Sequence, residues 1–145
     1  MYNSILVPLD GSKRAEAILP HVENLAQRYN AKVTFLQVVE PTPVVVGPEA
    51  AYMTLHQHEL TERTKQAELY LAARQGEFHE KGIETQTRVV YGPVVGAIID
   101  AAEDEDVDLI ALASHGRSGL SRVFYGSVAA GVLHRVDRPL LLVRS

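Results

Sequence analysis

At 145 residues, with 46% apolar and 22% charged residues, the chain is expected to fold as a single domain, 1–145, around a hydrophobic core. The absence of cysteine excludes disulfide and thiolate chemistry, and the formal net charge of −4 argues against non-specific nucleic-acid binding, which needs a basic surface. No apolar run approaches the ~20 residues that span a bilayer, and the first residues lack the basic start of a signal peptide, so we expect a cytoplasmic protein that does not bind membranes.

The first predicted strand covers residues 4–9, an apolar run ended by turn residues. Asp10 or Ser12 could cap the helix that follows, whose apolar positions recur at helical spacing as far as Ala26. Pro20 lies inside that pattern and predicts a kink or a tighter turn there, and Asn30 is a plausible stop.

Residues 32–39 form the second predicted strand, and two prolines end it. The stretch 44–53 is apolar but contains Gly47 and Pro48, so we expect a loop. A long helix is predicted from about 52 to 81 and is ended by the glycine that follows it. The third predicted strand, residues 83–91, comes next.

The last third of the chain repeats the alternation. It predicts a helix at 94–105, a buried strand at 107–113, a Gly- and Ser-rich loop at 114–126, a helix at 127–136 and a final apolar strand at 139–143. Crossovers of this length are too long for hairpins and favour parallel pairing. The pattern therefore predicts an α/β fold, an open five-stranded parallel sheet with helices on both faces.

The loop at 114–126 has the composition of a phosphate site. Its glycines allow close approach to backbone N–H groups, and the start of the next helix adds unpaired donors and the positive end of the helix dipole. Ser127 could act both as the helix cap and as a phosphate donor. The chain has no G-x-x-x-x-G-K-[ST], G-x-G-x-x-G or G-x-S-x-G motif, which excludes a P-loop NTPase and offers no support for a dinucleotide site or an α/β-hydrolase.

Three segments are expected to meet in space. In an open parallel sheet, ligands bind beyond the carboxyl ends of the strands, where the strand order reverses. Asp10 follows the first strand, residues 38–40 end the second, and residues 113–119 follow the fourth. This convergence favours a binding site at that edge more strongly than any single motif does.

The chain resembles the universal stress protein family over essentially its whole length. The most specific part is Ser114-His115-Gly116-Arg117-Ser118-Gly119 followed by Gly126-Ser127-Val128. The ATP-binding signature of that family is Gly, two residues, Gly, nine residues, then Gly-Ser or Gly-Thr. Gly116, nine intervening residues and Gly126-Ser127 match it, whereas Ala113 stands at the first glycine.

The resemblance implies a Rossmann-like fold of the adenine nucleotide alpha hydrolase type that binds ATP, with Mg²⁺ held mainly by the phosphates. By position, Asp10 would face the ribose and phosphates and the Val38 backbone would pair with adenine. The phosphates would be held by Gly116, Arg117, Gly126, Ser127 and Val128. Pro8, Leu9 and Ala113 complete the implied lining. We expect neither catalytic residues nor a protein metal site.

The resemblance also implies a homodimer joined through the C-terminal edge strand, Pro139 to Val143. In a monomer this apolar edge strand would be exposed and could pair with other chains. The implied role is a non-catalytic regulator or sensor of the stress response that acts on an unknown protein partner. Two alternatives stay open: a dimer that binds no nucleotide, which Ala113 favours, and a slow ATPase. Ala113 is harmless if φ at that residue is negative and strained if it is positive.

Overall fold

The computed structural model describes residues 1–41, 49–114 and 126–145, and of residues 49–55 it describes only the backbone. The elements are β1 (Ser4–Pro8), α1 (Leu19–Tyr29), β2 (Lys32–Val39), α2 (Glu49–Glu80), β3 (Thr85–Tyr91), α3 (Val94–Asp104), β4 (Leu109–Ser114), α4 (Ser127–Arg135) and β5 (Leu140–Arg144), with a 3₁₀ turn at Ala15–Ile18 before α1. No helix in the described ranges is long and apolar enough to cross a lipid bilayer.

The five strands form one parallel sheet in the order β3-β2-β1-β4-β5. The predicted α/β class and the parallel sheet are confirmed. The chain moves outward from β1 through β2 to β3, then returns to the other side of β1 for β4 and β5. Strand order therefore reverses between β1 and β4, which places a crevice beyond their carboxyl ends.

Alternating strand residues build two separate cores. One face of the sheet packs against α1 and α2 and includes Ile5, Val7, Phe35, Leu71 and Phe78. The other face packs against α3 and α4 and includes Leu6, Leu36, Ile98, Ile110 and Val132. Burial on both faces explains why the strands are continuous apolar runs rather than alternating ones.

Pro20 lies in the first turn of α1, directly after the 3₁₀ turn. An N–H in the first turn of a helix has no acceptor within the helix, so the proline removes no hydrogen bond there and α1 is not broken. The tighter turn that Pro20 predicts is confirmed by the 3₁₀ turn before α1. Asn30 ends α1 in the left-handed conformation, with φ of 54°, as its position predicts.

The long helix begins earlier than predicted, because α2 starts at Glu49 rather than near residue 52. The end of the predicted loop 44–53 is therefore helical, which suits the helix formers Glu49 to Ala51, and the rest of that loop lies outside the described residues. Gly82 ends the helical segment with φ of 77°, and Ile83 N–H donates to Phe78 C=O at 3.1 Å. This closure of the helix end moves the start of β3 from 83 to Thr85.

A similar closure ends α3. Asp106 has φ of 46°, and Val107 N–H donates to Ala102 C=O at 3.1 Å. Val107 therefore belongs to the helix end, and β4 begins at Leu109 instead of 107. At its other end β4 includes Ser114, which the sequence pattern placed in the loop.

Close packing of α3 on α4 depends on Gly131. A Cβ at Gly131 would lie 2.7 Å from Val95 Cγ2, and a valine side chain has little rotamer freedom in a helix. We expect Gly131→Ala to lower the free energy of unfolding by about 1–3 kcal/mol, measured by urea denaturation, because α4 must move away from α3.

Gly76→Ala is the matched control, because a Cβ at that exposed position of α2 would meet nothing within 4 Å. We expect it to raise the free energy of unfolding by about 0.5–1 kcal/mol through helix propensity. Equal effects of the two substitutions would contradict the packing role of Gly131.

Candidate functional site

A cleft of about 260 Å³ opens at the carboxyl edge of the sheet, at the point where strand order reverses. It lies between the ends of β1, β2 and β4 and the start of α4. The residues lining it are Pro8, Leu9, Asp10, Arg14, Ala15, Leu36, Val38, Glu40, Val94, Ile98, Leu112, Ala113, Ser114, Gly126, Ser127, Val128 and Ala129.

Eight of the ten sequence-predicted binding residues line this cleft. They are Pro8, Leu9, Asp10, Val38, Ala113, Gly126, Ser127 and Val128. The other two, Gly116 and Arg117, lie outside the described residues. The structure thus brings together segments more than a hundred residues apart in sequence, as the parallel topology requires.

Asp10 organises the loop that follows β1. Its Oδ1 accepts hydrogen bonds from Ser12 N–H at 2.9 Å and from the Ser12 hydroxyl at 2.6 Å, and Ser12 Oγ accepts one from Ala15 N–H at 3.1 Å. No side chain caps the 3₁₀ turn in the usual way, so Asp10 orders the loop through Ser12 instead. Its second oxygen receives no hydrogen bond from the described residues and remains available at the cleft.

Val38 offers its backbone to the cleft because β1 is shorter than β2. Residue pairing between the strands ends at Pro8 with Leu36, and Leu9 N–H donates to Leu36 C=O at 2.8 Å. Backbone groups of alternate strand residues point the same way, so the N–H and C=O of Val38 point past the end of β1. One donor and one acceptor are thereby aimed at the cleft.

Ala113 adopts ordinary strand geometry. It lies within β4, and the non-glycine residues with positive φ in the described ranges are Asn30 and Asp106. The alanine at the first motif glycine is therefore unstrained, and its side chain packs with the core on the α1 and α2 side. The backbone conformation at this position does not require glycine.

Gly126 begins α4 in a conformation that only glycine adopts readily, with φ of 83° and ψ of 153°. No side chain among the described residues caps this helix. Ser127 is the first helical residue rather than the cap, so the prediction that its hydroxyl caps α4 is wrong. The first intrahelical bond runs from Ala130 N–H to Gly126 C=O at 3.0 Å, which leaves the N–H groups of the preceding turn directed at the cleft.

Three polar lining residues, Arg14, Glu40 and Ser114, are not among the ten predicted binding residues. Glu40 and Ser114 belong to the segments 38–40 and 113–119, which were expected to meet at this edge, whereas Arg14 was missed. Arg14 forms no ion pair with any described residue. Arg14 lies four residues after Asp10, at the start of a helical segment. This spacing is the sequence signal that could have placed Arg14 and Asp10 on the same wall of the cleft. Among the described residues, no group of three His, Cys, Asp or Glu side chains could hold a metal ion.

A cluster on α2 holds the wall that carries Asp10. The Tyr70 hydroxyl donates to Glu16 Oε2 at 2.5 Å, and Arg74 Nη1 lies 3.3 Å from the same oxygen. Burial, followed by the hydrogen bond to Glu16, holds the pKa of Tyr70 well above its usual range. Because Glu16 belongs to the 3₁₀ turn just after Arg14, these contacts tie the cleft wall to α2.

We expect Tyr70→Phe to lower the free energy of unfolding at pH 7, because a hydrogen bond to a charged group is lost. Unfolded tyrosine ionises near pH 10, whereas folded Tyr70 keeps its proton to higher pH. The contribution of Tyr70 is therefore full below pH 10 and decreases as pH rises above it. Urea denaturation at pH 7 to 11 should show the difference between wild type and Tyr70→Phe shrinking above pH 10, and a constant difference would contradict this account.

A sequence profile of the universal stress protein family matches residues 1–144. The universal stress protein MJ0531 of Methanocaldococcus jannaschii is 31% identical over 144 residues, which cover 99% of this chain and 83% of that protein. Protein MJ0577 of the same organism has a solved structure with a TM-score of 0.85 and 28% identity, which covers 100% of this chain and 97% of that one.

A more distant solved structure is that of a universal stress protein from Archaeoglobus fulgidus in complex with dAMP. It has a TM-score of 0.62 and 19% identity, and the match covers 97% of each chain. At this identity the likeness concerns the fold alone. Both solved structures thus share the overall fold of this chain.

Proposed function

This chain belongs to the universal stress protein family, and from that premise we propose that it binds ATP in the cleft and acts as a non-catalytic regulator or sensor. The observation that carries the proposal is the convergence of two strand ends and a glycine-started helix on one cleft. The Archaeoglobus protein of the same fold was solved with an adenine nucleotide. A fold that accommodates such a ligand is consistent with the proposal.

The proposed binding mode assigns adenine to β2. Val38 offers one backbone donor and one acceptor beyond the end of β1, which matches the alternating donor and acceptor edge of adenine. Apolar side chains of Leu36, Val94 and Ile98 line the same end of the cleft and suit a flat aromatic base. Asp10, at the end of the next strand, is placed to accept hydrogen bonds from ribose hydroxyls.

The phosphates are assigned to the start of α4. Gly126 lets the chain turn tightly into the helix, and the following N–H groups have no intrahelical partner. The positive end of the helix dipole adds attraction for an anion, and Arg14 supplies a full positive charge at the opposite wall. Mg²⁺ would be held mainly by phosphate oxygens, as is usual for nucleotide complexes. By family resemblance, Gly116 and Arg117 would complete the phosphate site.

The regulatory role follows from what ligand binding changes. A nucleotide that contacts both the strand ends and the start of α4 stabilises the arrangement that joins them. The protein would then present a different surface to a partner in its bound and free states. Slow ATP hydrolysis remains the enzymatic alternative, and phosphate release above background that is lost in Asp10→Ala would favour it.

The test is calorimetric titration with ATP and Mg²⁺ together with thermal melts. We expect one site per chain, and at ATP near 100 times its dissociation constant the fold should gain about 2.7 kcal/mol. In Gly126→Asp the new carboxylate would lie beside the phosphates, so ATP binding should be lost.

Gly82→Asp provides the control, because it introduces the same charge at another glycine with positive φ, away from the cleft lining. It should lower stability without weakening ATP binding. Unchanged ATP affinity in Gly126→Asp would show that the phosphates bind elsewhere.

We also propose that the protein forms a homodimer through β5. This strand is at the edge of the sheet, and Leu140 to Val143 are apolar and half-buried. Ile110 N–H donates to Pro139 C=O and Ser145 N–H donates to Ser114 C=O, so odd-numbered residues face β4. The backbone groups of the even-numbered residues Leu140 and Leu142 therefore point outward, where a second copy could pair with them.

Leu142→Pro should remove an outward N–H while preserving the β4–β5 hydrogen bonds. We expect sedimentation velocity to show a folded monomer in place of the wild-type dimer. Val143→Pro, one residue further, would remove an N–H that faces β4 and should instead destabilise the fold. A wild-type monomer at micromolar concentration, or a Leu142→Pro dimer, would contradict the β5 interface.

A further inference from the structure

The hydroxyl of Ser114 is buried and has no hydrogen-bond partner among the described residues. Ser114 is 1% exposed, and its Oγ is one of three buried side-chain polar atoms in the described part of the chain that lack a partner. The other two, Gln37 Oε1 and Arg74 Nε, belong to residues outside the cleft lining, whereas Ser114 lines the cleft. An unsatisfied hydroxyl destabilises the free protein, so its position at the cleft points to a bound partner.

Thr34 is a second buried hydroxyl on the sheet, and it allows a comparison with Ser114. Thr34 is also 1% exposed, but its Oγ1 donates to Glu105 Oε1 at 2.8 Å and accepts from Gln86 Nε2 at 2.9 Å. Thr34 and Ser114 both lie on strands of the same sheet, yet of the two hydroxyls only that of Thr34 has hydrogen-bond partners among the described residues.

The direction of the Ser114 side chain follows from strand alternation. Ile110 and Leu112 belong to the core shared with α3 and α4, and Ser114 is the next residue on that face. Its hydroxyl therefore lies on the same side of the sheet as the start of α4, where Gly126 and Ser127 line the cleft.

Strand order indicates which part of the ligand reaches Ser114. The strands lie in the order β2, β1, β4, so the ends of β2 and β4 are two strand spacings apart, about 9–10 Å. With adenine at Val38 on β2 and ribose near Asp10 after β1, the next group along the ligand, the phosphate on the ribose, lies over β4.

We propose that Ser114 Oγ–H donates a hydrogen bond to the phosphate attached to the ribose, so that Ser114 distinguishes nucleotides from nucleosides. This inference rests on the proposed function and adds a binding residue to it. A phosphate oxygen is a strong, permanently available acceptor for a hydroxyl. Of the three buried side-chain polar atoms without a partner among the described residues, Ser114 Oγ is the one whose residue lines the cleft, and the contact would satisfy it.

The test uses Ser114→Ala with adenosine, AMP and ATP–Mg²⁺ as probes in calorimetry. We expect the affinity for AMP and ATP to fall roughly ten- to hundredfold, as for a lost hydrogen bond to a charged group, while the affinity for adenosine stays unchanged. The melting temperature of the free variant should equal or exceed that of wild type, because an unsatisfied buried group is removed.

Thr34→Val is the matched control, since it removes a buried hydroxyl whose hydrogen bonds are made inside the protein. It should lower the melting temperature and leave the ratio of AMP to adenosine affinity unchanged. The two variants therefore differ in the sign of the stability change as well as in binding.

Each other outcome has a distinct meaning. If wild type binds AMP and Ser114→Ala keeps the wild-type ratio of AMP to adenosine affinity, the role of Ser114 is overturned while the proposed function stands. An equal loss for adenosine and AMP would place the contact on the nucleoside and overturn the assignment to phosphate. If wild type binds none of the three probes, the proposed function fails and this inference fails with it.

Discussion

Parallel alignment of the five strands is the constraint on which the rest of this structure depends. Parallel strands place all their carboxyl ends at one edge, and every connection must cross a face of the sheet. The crossovers bury both faces, which is why the strand residues Ile5, Leu6 and Val7 are all fully buried. The same alignment leaves a crevice where β1 is flanked by β2 on one side and β4 on the other. The position of the cleft is thus set by chain connectivity.

Backbone groups supply part of the polar surface of the cleft. Val38 and the start of α4 offer N–H and C=O groups that no strand or helix partner occupies, and Gly126 supplies a turn in which a side chain would be strained. Backbone groups are positioned by the elements that carry them, so the cleft needs few polar side chains. Those it has, such as Asp10 and Arg14, lie on a wall that is held in place from α2 by Tyr70.

The position of α4 depends on its close packing against α3. Gly131 lets α4 approach Val95 of α3 at a distance that no other residue would permit. Since the start of α4 forms one side of the cleft, this contact between two helices affects the geometry of the cleft. Residues outside the cleft lining therefore help to determine where the first N–H groups of α4 are directed.

The sequence predicted the elements correctly where a local signal was strong. Pro20, Asn30 and Gly82 mark turns or ends because their backbone preferences hold in any context. Prediction was weaker where two local signals competed. Asp106, rather than a glycine, adopts the left-handed conformation at the end of α3, so β4 starts later than predicted. Gly126, rather than the predicted Ser127, occupies the capping position of α4.

By itself, the sequence determined the class of fold, the number of strands and their succession along the chain, and the segments that would meet at one edge. These follow from hydrophobic periodicity and turn residues, which act over a few positions along the chain. Only the tertiary structure decided that Ala113 is unstrained and that Arg14 shares the cleft with Asp10. It also decided that the Ser114 hydroxyl is buried with no partner in the described part of the chain. Each of these depends on atoms distant in sequence, because burial and hydrogen bonding are properties of the packed chain.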